Sequence, residues 1–356
     1  MVSQEDHRSG HVVVGVDTHK DIHVAAVMDP LVGIVGTLTI PTNTRGFAAL
    51  ETWAAAHGKI IAFGIEGTGS YGATLTSFLR RAGYKVVEAG RPDRRLRRMN
   101  GKSDTLDAEN AARSVLAGLA TATPKTADGQ VEMIRLLKVA HDTAVTARTA
   151  AMITLKNVLV HAPDELRATT RRMTAATLAR HLAALRPRGL DSVEDAQRHT
   201  LRSLARRWLA LDTEAKDLNQ QIGALVRSRA PQLLDRFGIG IDTAAEILIV
   251  AGDNPERIHS EAAFANRAGI SPVPTGSGMT SGRHRINHGG HRQLNAAIYR
   301  TVIVRMRFHE PTLAYVQRRT AEGLSKREII RCLKRYVIRE VYHDIKHRPE
   351  APEFAS

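Results

Sequence analysis

His11-Val-Val-Val-Gly-Val16-Asp17 and Lys59-Ile-Ile-Ala-Phe-Gly-Ile65-Glu66 are two short apolar runs, and each ends on a carboxylate. Runs of this length, bounded by polar residues and rich in β-branched side chains, read as buried strands. Between them, His23 to Met28 and Ile34 to Ile40 predict two more strands, joined by a turn through Asp29-Pro30. Thr42-Asn43-Thr44 then caps a helix carrying Phe47, Leu50 and Trp53. Beyond Glu66, Gly67-Thr-Gly-Ser-Tyr71 opens a helix with Leu75 and Leu79, and Tyr84 to Val87 is a fifth strand. The order is three strands, helix, strand, helix, strand, helix. A meander leading into βαβ units is the ribonuclease-H-like arrangement, and it places this part of the chain in the α/β class.

After the fifth strand comes a basic approach holding Arg91, Arg94, Arg95, Arg97, Arg98 and Lys102, then Ser103-Asp104-Thr-Leu-Asp107-Ala108. On a helix, Asp104 and Asp107 share one face, about 5–6 Å apart at Cβ. A lone D-x-x-D is most often a solvated helix face. Here it joins two strand-end acids. If the first and fourth strands are neighbours, Asp17 and Glu66 lie side by side at one sheet edge. Four carboxylates in a basic chain can then hold two Mg²⁺ about 3.5–4 Å apart, the geometry for moving a phosphoryl group, with Mn²⁺ as a substitute. Gly67 and Gly69 are too few, and lack the lysine, for a phosphate-cradling P-loop. With no cysteine or third histidine nearby, His19 and His23 read as ordinary strand-edge residues. Lys20 is either a phosphate contact beside Asp17 or a surface lysine.

The formal net charge of +15 over 356 residues points to a polyanionic partner, with nucleic acid the default. No apolar run approaches the roughly 18–20 residues of a membrane-spanning helix. Met1 to His11 is polar and shows no signal-peptide pattern. The single cysteine, Cys332, excludes an intrachain disulfide and a thiolate metal site, which fits a cytoplasmic protein. Aromatic content of 4% argues against base-stacking platforms as the main binding device.

Residues 126–230 read as nearly all helix. Val131 to Val160 is one segment, and Leu166 to Leu185 a second, ended by Pro187 and Gly189. Ser192-Val-Glu-Asp195 is a capping box opening a third. In that third helix Leu201, Leu204, Trp208, Leu211, Ala215, Leu218, Ile222 and Leu225 alternate spacings of three and four. The seam predicts a coiled-coil arm that dimerises the protein or spaces two catalytic domains. Packing within the monomer would give the same periodicity. Further on, Phe237-Gly-Ile-Gly240-Ile resembles a helix-hairpin-helix turn. The stretch from Gly269 to Arg292 is rich in glycine, arginine and histidine and carries little core. Loops of this kind are often functional. Ser277 sits there between two glycines; by local composition alone it reads as a linker serine. Leu294 to Tyr342 reads as two basic amphipathic helices, with Cys332 on the apolar side, and residues 346–356 as a flexible tail.

Gly15-Val-Asp17-Thr-His-Lys20, Ile65-Glu66-Gly-Thr-Gly-Ser-Tyr71 and Lys102-Ser-Asp104-Thr-Leu-Asp107-Ala resemble the three acidic motifs of the DEDD transposases of the IS110 family of bacterial insertion sequences. Gly269-Ile-Ser-Pro272, Ser277-Gly278, and Ile286 with Gly289 keep that family's C-terminal spacing. Glu322 to Tyr336 is also similar to the family, so the resemblance runs from Val12 to Tyr342. It implies a RuvC-like domain at 10–125, a helical coiled-coil arm at 126–230 and a mostly α transposase domain at 231–345. It implies Asp17, Glu66, Asp104 and Asp107 as metal ligands and Ser277 as nucleophile. The chain departs from the family at Gly276, where a serine is frequent. It departs again at Asn287-His288, where Ser/Thr-Lys is usual; His288 remains as the candidate basic group.

The activity implied is Mg²⁺-dependent cleavage and exchange of double-stranded DNA through a covalent phosphoserine. A non-coding bridge RNA would guide it, in a homodimer or tetramer. The candidate nucleic-acid contacts are Arg94, Arg95, Arg97, Arg98, Lys102, Arg283, Arg285, Arg292, Lys326, Arg327, Arg331, Lys334 and Arg335. Two rivals are a metal-dependent nuclease or junction resolvase in which Ser277 is inert, and a non-enzymatic nucleic-acid-binding protein.

Overall fold

Alternation of side chains along the strands sorts the N-terminal unit into layers. The computed structural model describes residues 10–90, 103–186, 189–276, 284–285, 287 and 289–346. Strands β1 (His11–Thr18), β2 (Ile22–Asp29), β3 (Gly33–Pro41), β4 (Lys59–Glu66) and β5 (Val86–Ala89) form one sheet in the order β3-β2-β1-β4-β5. β2 runs antiparallel to both β1 and β3, whereas β4 is parallel to β1 and β5 parallel to β4. Val12, Val14, Val16, Phe63 and Ile65 point to one face, and α1 (Thr44–Ala55) and α2 (Ala73–Arg81) cover them with Phe47, Leu50, Leu75 and Leu79. Asn43 caps α1 by accepting from the Gly46 amide. Val13, Ala62 and Val87 point to the other face, where α3 (Asp104–Leu116) lays Ala112 and Val115 on them. This unit is therefore a mixed sheet between two helical layers.

By contacts the chain divides after Thr126. The second unit is mostly helical. Its longest elements, α4 (Gln130–Val160) and α7 (Val193–Arg229), lie antiparallel. Gln130 reaches Ser228, Arg148 pairs with Asp212 at 2.6 Å, and Gln197 donates to the Val158 carbonyl. Between them, α5 (Asp164–Thr170) and α6 (Ala175–Ala183) form two short helices where the sequence predicts one. Thr174 stops continuity by capping the second, accepting from the Thr177 amide. Ser192 caps α7 by accepting from the Asp195 amide, as its capping box requires. Of the predicted seam, Leu201, Trp208, Ala215 and Ile222 are buried, with Ala205, Gly223 and Val226 beside them. Leu201, Ala205 and Trp208 share a core with Met152 and Leu155 of α4 in the same chain.

The remaining elements are α8 (Pro231–Leu234), α9 (Ile241–Ala251), α10 (Glu261–Arg267), a short ribbon of β6 (Val273–Pro274) and β7 (His284–Arg285), α11 (Arg292–Phe308), α12 (Glu310–Ala321) and α13 (Lys326–Lys346). They close around Ile247, Phe264, Ile298 and Ile338. Where two terminal helices were expected, three form: Pro311 stands in the first turn of α12, where a missing N–H costs nothing, and Gly323 at φ +88° follows its end.

Candidate metal centre

Parallel pairing of β1 with β4 matches Gly15 with Gly64 and Val16 with Ile65, so Asp17 and Glu66 follow as neighbours. Side chains two residues apart share a face. Asp17 and Glu66 therefore point to the face of Gly15 and Gly64, which is the face α3 covers. The helix comes unusually close because nothing stands between: a Cβ on Gly15 would lie 2.0 Å from the Ala108 carbonyl oxygen and 2.4 Å from the Ala112 nitrogen. On Gly64 it would meet Val115 Cγ2 at 2.5 Å. Asp104 and Asp107 occupy the first turn of this helix. Sheet and helix together thus bring all four acids to one end of the unit.

Asp17 and Asp107 are buried, while Asp104 and Glu66 are half-buried. Burial pushes the Asp17 carboxyl above its ordinary value; His19 opposes that, and Asp107 and then Asp104 push it further up. The Thr18 hydroxyl donates to the Glu66 carbonyl at 2.8 Å, locking the two strand ends together. His19 Nε2 lies 3.2 Å from Asp17 Oδ2 and 3.3 Å from Asp104 Oδ2. Ligand atoms of Asp17, His19 and Asp104 fall within 4.8 Å of one another.

His19 is the residue the sequence reading passed over. It belongs to the acid cluster instead of an inert strand edge, and it does so because β1 ends where α3 begins. His23 is not at an edge either: it is fully buried and stacked on Phe47, with ring centroids 6.0 Å apart. The donor set fits a divalent cation. Several carboxylate oxygens, with one imidazole, suit a hard ion such as Mg²⁺ or Mn²⁺.

Ser277, Arg94, Arg95, Arg97, Arg98, Lys102 and Arg283 lie outside the described residues, as do Ile286 and His288. Lys326, Arg327 and Arg331 are exposed on α13, and Arg285 and Arg292 are exposed nearer the ribbon. Lys334 and Arg335 are half-buried, as is Cys332, which the sequence placed in the core. At the glycine turn, Gly238 has φ +79°, and the first turn of α9 carries Asp242, whose carboxylate is held by Lys138 at 2.9 Å and Arg300 at 2.9 Å.

Acids gathered over a mixed sheet in a strongly basic chain are the features a metal-dependent, phosphodiester-handling protein would need. Comparison with known proteins gives the family. Residues 14–162 match the model of the DEDD transposases of IS110, and residues 230–317 match that of the IS116/IS110/IS902 family of transposases. Together the two matches cover about two thirds of the chain. The chain belongs to the IS110 family of transposases. An uncharacterized protein of insertion element IS110 from Streptomyces coelicolor is 30% identical over 123 residues, 34% of this chain and 30% of the relative. One of insertion element IS900 from Mycobacterium paratuberculosis is 31% identical over 134 residues, 37% of this chain and 34% of the relative. The chain thus spans about a third of the length of the curated relatives it matches.

Proposed function

We propose that the chain cleaves and rejoins double-stranded DNA at the ends of an insertion sequence, with Asp17, Glu66, Asp104 and Asp107 as metal ligands and Ser277 as nucleophile. The observation that carries the metal half is the convergence of Asp17, His19 and Asp104 within 4.8 Å, beside buried Asp107. The sheet order, an antiparallel meander continued by parallel β4 and β5, supports the RuvC-like reading of the N-terminal unit. The serine half rests on the family spacing of Gly269, Pro272 and Ser277-Gly278.

A bound divalent cation would polarise the scissile phosphate and shield the charge of its oxygens. The four carboxylates fix where that ion sits. His19 keeps Asp17 and Asp104 turned toward each other. Ser277 Oγ forms a bond to phosphorus, the DNA sugar oxygen leaves with the proton as a free hydroxyl, and a phosphoserine ester joins chain to strand. Reversal onto another strand's hydroxyl conserves the phosphodiester and completes exchange.

Partners in this reading are element-end and target DNA, a bridge RNA from the element, and further copies of the chain in a dimer or tetramer. The hairpin of α4 and α7 is the arm that joins copies, and the cytoplasm is the compartment. Among the described residues no helix is long and apolar enough to cross a membrane.

The test incubates the protein with Mg²⁺, element-end DNA and the cognate RNA, then looks for a covalent adduct on a denaturing gel. An adduct lost in both Ser277→Ala and Asp104→Ala supports the reading. Cleavage without an adduct, surviving Ser277→Ala, would make the chain a metal-dependent nuclease.

A further inference from the structure

The helical unit contains a cavity of about 720 Å³ between the Gly269–Pro272 segment, α12 and α13. Its walls are cationic, and the charges divide into two groups. Arg335 and Arg339 are held by Glu261 at 2.8 and 3.1 Å, while Arg318 and Arg319 pair with Glu322. Among the described residues, Arg285 and Lys334 line the same cavity with no carboxylate within ion-pair distance, and Arg331 beside them feels only the exposed Glu328 one turn back on its own helix. Lys334 is the telling member. Its ammonium is half-buried and, among the described residues, donates to the neutral Asn295 side chain at 2.6 Å with no carboxylate in ion-pair range. Burial lowers its pKa. Two further donors, Arg319 Nε and Arg335 Nη1, are buried without an acceptor.

A wall that keeps cations and unmet donors facing a concavity is stable only at a cost, because a buried ammonium without a counter-charge is disfavoured. An anion entering the cavity removes that cost. We propose that this cavity binds the phosphodiester backbone of an unpaired nucleic-acid strand, with Lys334 as the buried anchor and Arg331 and Arg285 as the rim contacts. The inference deepens the reading above and rests on it only for the class of partner.

Three observations favour an unpaired strand over a duplex. A duplex presents its phosphates on a stiff, convex surface, and they cannot descend to a half-buried ammonium. The volume is that of a small-ligand pocket, which a few nucleotides fill. Tyr336 lines the cavity 47% exposed, with the Arg339 guanidinium 6.0 Å from its ring centre, and an exposed ring of this kind can stack only an unpaired base. Neither DNA nor RNA is preferred by these features, since the phosphodiester is common to both.

The test uses the full chain in EDTA, so failure of the strand-transfer chemistry does not touch it. Fluorescence anisotropy would follow labelled twelve-nucleotide single strands of DNA and of RNA, and a duplex of the same sequence, across a salt series. Arg285→Gln/Arg331→Gln/Lys334→Gln is compared with a charge-matched control on α7, Arg206→Gln/Arg207→Gln/Arg227→Gln. Removing three phosphate contacts should flatten the single-strand salt slope by about 2 and weaken binding at least tenfold near 0.1 M salt, with the duplex affected less than the single strand. The control should change single-strand binding less than threefold. Arg331→Gln alone, at an exposed position, should reproduce about a third of the slope change and guards against misfolding of the triple variant. Equal losses in cavity and control variants, or a loss confined to the duplex, would overturn the proposal. Loss for one of DNA and RNA alone identifies which strand occupies the cavity.

Discussion

Gly15→Ala should be one of the most damaging single methyl additions among the described residues. The new Cβ would stand 2.0 Å from the Ala108 carbonyl oxygen and 2.4 Å from the Ala112 nitrogen. Both are backbone atoms of one helix, so no rotamer change relieves the clash. Ordinary contact begins at 3.4 Å, so the Asp104–Leu116 helix must retreat from the sheet by about 1.4 Å. Overpacking of a well-filled core costs about 1–3 kcal/mol, and a displaced helix backbone places this case at or above about 3 kcal/mol. At roughly 3–5 °C per kcal/mol for a unit of this size, the N-terminal transition should fall by roughly 10 °C. Because Asp104 and Asp107 travel with the helix while Asp17 stays on the strand, Mn²⁺ binding should weaken too. Gly64→Ala supplies the comparison. Its Cβ would meet a side chain at its closest, Val115 Cγ2 at 2.5 Å, and backbone only at the Ala111 carbonyl oxygen at 3.0 Å, so about 1–2 kcal/mol is expected. Urea titration followed by circular dichroism, with Mn²⁺ calorimetry on the same samples, measures both effects. A Gly15→Ala protein as stable as the parent, or less affected than Gly64→Ala, would refute the close approach of helix and sheet and with it the placement of the acids.

Asp17→Asn should weaken Mn²⁺ binding more than tenfold and yet raise the melting temperature in EDTA, because burial and then the neighbouring Asp107 and Asp104 hold the Asp17 carboxyl above its ordinary value; a lower melting temperature with binding intact would count against the cluster. Asp212 accepts from Lys216 and, despite partial burial, from Arg148, which together hold its pKa below 3.8. A depressed carboxylate stabilises the fold above its unfolded value and loses that contribution as pH falls through its folded value. About 1 kcal/mol of hairpin stability should therefore disappear below pH 3.8. Trp208, under the Arg148 guanidinium, reports the loss by fluorescence, and Asp212→Asn should abolish the pH dependence. Lys138 is buried against Asp142, Asp242 and Glu246 at 2.6, 2.9 and 3.2 Å. Lys138→Met should cost about 3 kcal/mol in urea titration, and adding Glu246→Leu should recover part of it; a neutral single variant would show the cluster to be solvated.

Much of the N-terminal unit is legible in the residues. Val12, Val14 and Val16 alternate with Val13, Gly15 and Asp17, and a carboxylate closes each of the two apolar runs. What the one-dimensional pattern lacks is approach distance. His19 reads as a strand-edge residue until a helix start arrives beside it, and that arrival depends on the absence of two side chains, at Gly15 and Gly64. Periodicity likewise finds the Leu201–Leu225 seam without naming its partner: in this chain Met152 and Leu155 fill it. Lys138 defeats the reading in another way. It sits at a buried position of its helix, where an apolar residue is the rule, and only the three carboxylates converging on it from its own helix and from Ile241–Ala251 explain a cation there.

The same absence of side chains bears on how an acid cluster is tolerated at all. Asp104 and Asp107 lie in the first turn of their helix, where unpaired N–H groups carry a partial positive charge that favours carboxylates. Ser103 at the N-cap makes no side-chain hydrogen bond to that turn, so its donors are not spent on a cap. Helix start and acids partly neutralise one another, but burial first, and then the charges of Asp107 and Asp104, still raise the Asp17 carboxyl. Left to themselves, the acids would spread apart. They are held because moving the helix outward would uncover Ala108, Ala111, Ala112 and Val115, all buried against the sheet. Apolar burial, not attraction among the ligands, sets the spacing of this cluster. In the proposed reading, a cation arriving there would meet a site whose geometry has been fixed by residues that never touch it, which is the condition for a metal to act on a phosphate without first organising its own ligands.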